Sequence, residues 1–170
     1  GHIVLDDIRL NKPTIRLEKT ADGWNIANLI KARTPDPDKP KTRRPLEIGE
    51  IGVTDGALEL AGEPVGTTGV EMPERIEKLN ASIGVKTDED ALDVRISHVS
   101  LRAQEPRLGI NDLSGRIVRT PNQLHFDNVA LRTEESSIRV NGTVHNIEGG
   151  PPAADISASS DKFVVEEIAR

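Results

Sequence analysis

The chain has 170 residues, 28 acidic against 22 basic groups, a net charge of −6 and no cysteine. That length holds one domain or a pair of small ones. The acidic balance argues against a nucleic-acid partner, and the missing cysteine excludes a disulfide framework and a thiolate metal site. No apolar run reaches the roughly 18 residues a spanning helix needs, and no signal peptide is visible.

Taken in order, residues 3–10 and 14–19 alternate apolar and polar side chains and read as a hairpin turning at Asn11-Lys12-Pro13. Asp22-Gly23 makes the next turn. One short helix is expected near 24–31, where Asn25 can cap and Ile26, Leu29 and Ile30 share a side. Trp24 is expected to plug one end of the sheet, near Leu10 or Ile15. Residues 32–45 hold Pro35, Pro37, Pro40 and Pro45 and read as a flexible linker. Its Lys39, Lys41, Arg43 and Arg44 fit a solvated loop or a weak attraction for anionic headgroups.

Strands at 46–53 and 57–61 flank a turn at Thr54-Asp55-Gly56, a Gly/Pro-rich loop fills 62–73, and 74–78 suggest one helical turn. Alternation resumes at Leu79, Ala81, Ile83 and Val85, then near 92–103, 107–119, 122–132, 136–145 and 154–158. The charged tail from 161 reads as a severed helix. The expected organisation is a hairpin plus helix at 3–31, the linker at 32–45, a repeated strand region at 46–158 and a truncated tail at 159–170. Gly1-His2 reads as a tag remnant, and the chain as a fragment cut from a longer protein.

One apolar spacing recurs. Ile3, Leu5, Ile8, Leu10, Ile15 and Leu17 return 43 positions later as Leu46, Ile48, Ile51, Val53, Leu58 and Leu60. The core of it, apolar at i, i+2, i+5 and i+7, returns as Val94, Ile96, Val99, Leu101 and as Leu124, Phe126, Val129, Leu131. Such repetition marks an architecture that adds like units. On a helix those steps fall at about 200°, 140° and 340° and scatter around the axis. On a strand they share a face only if one extra residue is inserted in the gap, as a β-bulge does. The gaps are Asp6-Asp7, Gly49-Glu50, Ser97-His98 and Asp127-Asn128. A second repetition relates Leu79 and Ile83 before the third copy to Leu113 and Ile117 before the fourth.

The alternating residues include Arg9, Arg16, Glu59, Arg95, Arg102, Arg132 and Arg139, so one face is wet and the other apolar. Alternation alone fits half of an ordinary β-sandwich equally well. Aromatic residues are scarce, only Trp24, Phe126 and Phe163, whereas closed cores of this size usually pack rings. An aliphatic face suits contact with flexible hydrocarbon.

Catalytic motifs are missing: no G-x-S-x-G elbow, no P-loop and no H-E-x-x-H. Gly66-Thr67-Thr68-Gly69 is a bare GxxG in an acidic setting and reads as a loop. His98, His125 and His145 are spread along strands and suggest no zinc site. Neighbouring acids such as Glu134 and Glu135 point to opposite faces of a strand. No nucleophile is seen beside a base, so an enzyme is not expected. Asn80-Ala81-Ser82 and Asn141-Gly142-Thr143 match the glycosylation sequon.

The run from Ile3 to Leu17, the Asp22-Gly23-Trp24-Asn25 turn, the proline-rich gap and the run from Ile48 to Leu60 resemble the AsmA-like family of bacterial envelope proteins. Leu113 to Ile117, Leu124 to Thr133 and Ser137 to Val144 are similar to repeats of AsmA and its relative TamB. The family's N-terminal membrane anchor is not among these residues, as expected of a fragment cut from a longer protein. The resemblance implies a mainly β fold: a curved antiparallel repeat sheet forming an open hydrophobic groove, a β-taco. It also implies a periplasmic protein, anchored in the inner membrane at full length, that moves phospholipid between the inner and outer membranes. No cofactor, metal or nucleic acid is expected. The partners would be phospholipid acyl chains and outer-membrane assembly proteins.

The expected groove residues are Ile8, Leu10, Ile15, Leu17, Ile51, Val53, Leu58, Leu60, Ile83, Val94, Ile96, Val99, Leu101, Ile117, Leu124, Phe126, Val129, Leu131, Ile138 and Val140. Two other functions compete: a scaffold that pairs its sheet edge with client strands during envelope assembly, and a spacer whose apolar face is closed by another part of the chain.

Overall fold

The computed structural model describes residues 3–20, 23–24, 45–61, 74–88, 90–104 and 107–164. The expected helix beyond Trp24, the expected packing of the Trp24 side chain, the linker from 32 to 44, the loop at 62–73 and the end of the tail lie outside these residues.

The described residues form one open, curved, mostly antiparallel sheet. Its strands are β1 (Ile3–Asn11), β2 (Thr14–Thr20), β3 (Gly23–Trp24), β4 (Leu46–Ala61), β5 (Arg75–Thr87), β6 (Leu92–Gln104), β7 (Arg107–Arg119), β8 (Gln123–Arg132), β9 (Ser137–His145) and β10 (Ala153–Lys162). From β4 to β10 each strand pairs antiparallel with the next in sequence. Tight turns join several of them, as where the Thr120 N–H donates to the Gln123 carbonyl at 2.9 Å, with Pro121 in the turn.

The expected hairpin at 3–19 does not form. β1 and β2 lie end to end, and both pair parallel with β4. Ile3 faces Leu46, Ile8 faces Ile51, Leu10 faces Val53, Ile15 faces Leu58 and Leu17 faces Leu60. The offset of the sequence repeat is therefore the register of the pairing: each residue lies beside its own copy. Asn11-Lys12-Pro13 and Thr54-Asp55-Gly56 are not reversals, because β4 runs unbroken through the second of them. Lys12 and Asp55 each adopt φ 51°, so each site steps the strand sideways and lets it continue. Residues 74–78 make no helical turn; β5 begins at Arg75. Trp24 lies in a two-residue strand whose backbone pairs with Lys19. The tail begins later than expected, since β10 extends to Lys162.

Bulges fall at three of the four gaps in the repeat; at the fourth, Asp6-Asp7, β1 stays in step with β4 and has no register shift. Between Ile48 and Ile51 β4 carries one residue more than β5, between Ile96 and Val99 β6 carries one more than β7, and between Phe126 and Val129 β8 carries one more than β9. Small residues stand opposite or beside the bulges. A Cβ on Gly84 would come 2.9 Å from the Gly49 carbonyl, and one on Gly115 would come 2.6 Å from the Val129 Cα. Gly115 also has φ +133°, which only glycine holds without strain. The second repetition is realised as two hairpins in which equivalent residues pair: Ile83 with Ile96, and Ile117 with Phe126.

No closed core exists among the described residues. Only Ile76, Val99 and Ala103 are buried apolar residues, and no side chain falls below 2 % exposure.

Candidate functional site

Paired residues in a sheet share a face, so the register assigns every side chain to one side. One row crosses the sheet as Leu5, Ile48, Val85, Val94, Ile117, Phe126, Gly142 and Ile156. Past the first bulges runs Ile8, Ile51, Ile83, Ile96 and Gly115. Next comes Leu10, Val53, Ala81, Val99, Leu113, Leu131, Ile138 and Ser160. A shorter row joins Ile15, Leu58, Ile76 and Ala103.

All of the sequence-derived groove residues fall on this face. Leu17 pairs with Leu60, Val129 with Val140, Leu101 with Ile110, and Leu124 lies in the row of Leu46 and Val144. The structure adds Leu5, Ile48, Ile76, Ala81, Val85, Ala103, Leu113 and Ile156. Their signal is the same strand alternation, except at Ile76, which lies in the stretch expected to make a helical turn. The row through Leu46 and Leu124 is also mostly apolar, interrupted by Thr87 and Arg119.

β1 and β2 share one position beside β4, so eight strands lie abreast from β1 to β10, and the two-residue β3 adds a ninth position beyond β2. At about 4.8 Å per strand the face is about 35 Å across, narrower than ten separate strands would give. Most of its side chains are half-buried by their neighbours in the same sheet.

The opposite face is held by cross-strand ion pairs. Arg75 bonds Glu59 at 2.9 Å, Lys86 meets Glu47 at 3.4 Å, and Arg116 grips Asp93 through two bonds of 2.9 and 2.7 Å. The bidentate guanidinium bond to Asp93 holds its carboxyl below the usual aspartate value, and Asp93 raises Arg116 in return.

Two bulges share a further device. The amide of Asp55 donates to Asn80 Oδ1 at 3.0 Å, and the amide of Asn128, φ 48°, donates to Asn141 Oδ1 at 2.8 Å. A bulged amide leaves the ladder and needs another acceptor. The asparagines of both sequons therefore hold backbone. His125 meets Thr143 Oγ1 at 2.9 Å across β8 and β9.

A serine, a histidine and an aspartate from β6 and β7 meet on the wet face. His98 Nδ1 lies 2.6 Å from Asp112 Oδ1, and its Nε2 lies 3.2 Å from Ser100 Oγ. Ser114 Oγ donates to the other Asp112 oxygen at 3.3 Å. Only pairing of β6 with β7 reveals this, because the residues come from two strands. The order of contacts is that of an acid–histidine–serine relay. Its surroundings are those of a surface network: the His98 side chain is 45 % exposed, on the wet face of an open sheet. A nearby shallow hollow of about 390 Å³, lined in part by Asp112, Ser114, Arg132, Arg139 and Asp161, lies over the same wet face. The network ties β6 to β7 beside the β6 bulge.

No family model, curated protein or solved structure matches the chain. No described group of three or more His, Cys, Asp or Glu could hold a metal ion.

Proposed function

We propose that the apolar face carries phospholipid acyl chains, and that the chain is a segment of a periplasmic bridge between inner and outer membranes, as the resemblance to AsmA and TamB implies. The observation that supports this is the set of aliphatic rows running from β1 to β10 with no second layer over them among the described residues. A face about 35 Å across exceeds the roughly 15 Å depth of one leaflet's hydrocarbon, so a tail fits whole. Each methylene withdrawn from water contributes about 0.8 kcal/mol. Aliphatic side chains offer no fixed geometry for a ring or polar group, so they accept a tail of any register and release it sideways to the next row. The headgroup remains in solvent at the end of the face, where Thr87 and Arg119 interrupt the last aliphatic row.

The test places a photo-crosslinking residue at Ile96 or at its neighbour Arg95, which faces the other way. The purified chain is then mixed with phospholipid vesicles, and native mass spectrometry follows co-purified lipid. Crosslinks to acyl chains from position 96 alone are expected. Equal labelling from both positions, or none together with no bound lipid, would end this reading.

A further inference from the structure

The two edges of the sheet differ in what they can accept. β1 lies on β4 by one step of the repeat, which makes Asp6 the counterpart of Gly49. A Cβ on Gly49 would sit 2.5 Å from the Asp6 carbonyl. β1 can pair there only because β4 has glycine. A third strand laid on β1 by the same step would bring its own carbonyl equally close to the real Cβ of Asp6. The backbone is otherwise ready: the Lys12 N–H donates to Thr54, so the carbonyl of the same peptide, on Asn11, points outward. Asp6 is thus a block at an edge that is otherwise a template.

β10 carries no such block. All ten of its residues are exposed. Ala154, Ile156 and Ala158 continue the apolar face, and Ile156, 46 % exposed, ends one of its two eight-residue rows. β10 carries charge at Asp155, Asp161 and Lys162 and one irregularity after Ser160, but the five residues from Ile156 to Ser160 hold neither charge nor proline. Proteins usually blunt such an edge with charge, proline or a bulge. Every pairing from β4 to β10 is antiparallel, so continuity specifies the next neighbour.

We propose that the sheet is extendable at one edge only: the outer edge of β10 takes an added antiparallel strand with aliphatic residues at alternate positions, and Asp6 closes the outer edge of β1 to another parallel copy of the repeat. Such a strand would bond the β10 backbone and lengthen the apolar face by one position. This does not rest on lipid carriage and survives if no lipid binds.

The probe is a peptide of residues 137–145, the sequence that already pairs antiparallel with β10 on its inner side, followed by amide NMR of the 15N-labelled chain. Shifts confined to 153–162 are expected. Ile156→Lys should weaken binding about tenfold, as should a peptide whose aliphatic positions are displaced by one residue. A second peptide, residues 46–61, should leave 3–11 unshifted in the parent and shift them in Asp6→Gly. Shifts at 3–11 in the parent with either peptide, or an unshifted β10 at millimolar peptide, would overturn the proposal.

Discussion

Lys12 and Asp55 occupy the same place in the two copies of the repeat and share one backbone conformation, φ 51° in each, with ammonium and carboxylate 3.8 Å apart. Both side chains are more than half exposed, so the ion pair adds little stability. It marks a symmetry carried by backbone. A Cβ on Gly56, the counterpart of Pro13, would meet Val53 Cγ1 at 2.9 Å and the Pro13 ring at 3.3 Å, so the second copy is crowded there.

Gly115→Ala should lower unfolding stability by about 3 kcal/mol, because it combines a disfavoured φ with a backbone clash at Val129. Gly149→Ala, with nothing within 4 Å of the added carbon, should stay within about 0.5 kcal/mol. Urea titration of the two variants measures the contrast. Equal effects would mean that the β8 bulge does not press on β7.

Asn80→Ala and Asn141→Ala each remove the acceptor of a bulged amide. Each should cost about 1 kcal/mol, and the aspartate variants, which keep an acceptor oxygen, should cost less. Hydrogen exchange at Asp55 and Asn128 should quicken in the alanine variants alone.

The Asp93–Arg116 pair predicts a pH dependence. Asp93 is depressed below its ordinary 3.8, so its contribution is complete above that value and fades as pH falls through the lower folded value. The stability difference between parent and Asp93→Asn should be present at pH 7 and vanish in strong acid. A difference that grows on acidification would contradict the pairing.

Val99 and Leu5 share the apolar face, but Val99 is 9 % exposed and Leu5 43 %. Val99→Asp should cost about 3 kcal/mol or more, and Leu5→Asp should stay within about 1 kcal/mol. A closed sandwich would penalise both. Melting of the two variants decides whether the face is open in solution.

His98→Ala removes the contacts to Asp112 and Ser100 and should cost about 1 kcal/mol. Ser100 should not react with a fluorophosphonate faster than other exposed serines. Selective labelling that depends on His98 would instead make it an activated nucleophile.

Much of the sheet is written into the sequence by itself. One-sided burial is a property of each segment, so alternation located nearly all the strands and sorted the aliphatic residues onto one face. The gaps Gly49-Glu50, Ser97-His98 and Asp127-Asn128 located the bulges, because only an inserted residue keeps i+2 and i+5 on the same side. Asn11-Lys12-Pro13 and Thr54-Asp55-Gly56 misled, since a left-handed residue can reverse a chain or merely step it sideways. Which of these occurs depends on whether both arms bond the same neighbour. The offset of 43 announced two like units without saying that they lie side by side and parallel. The meeting of His98 with Asp112, the asparagines beneath the bulges and the block at Asp6 were equally invisible. All of these are relations between strands, decided by hydrogen-bond registers that no single segment contains.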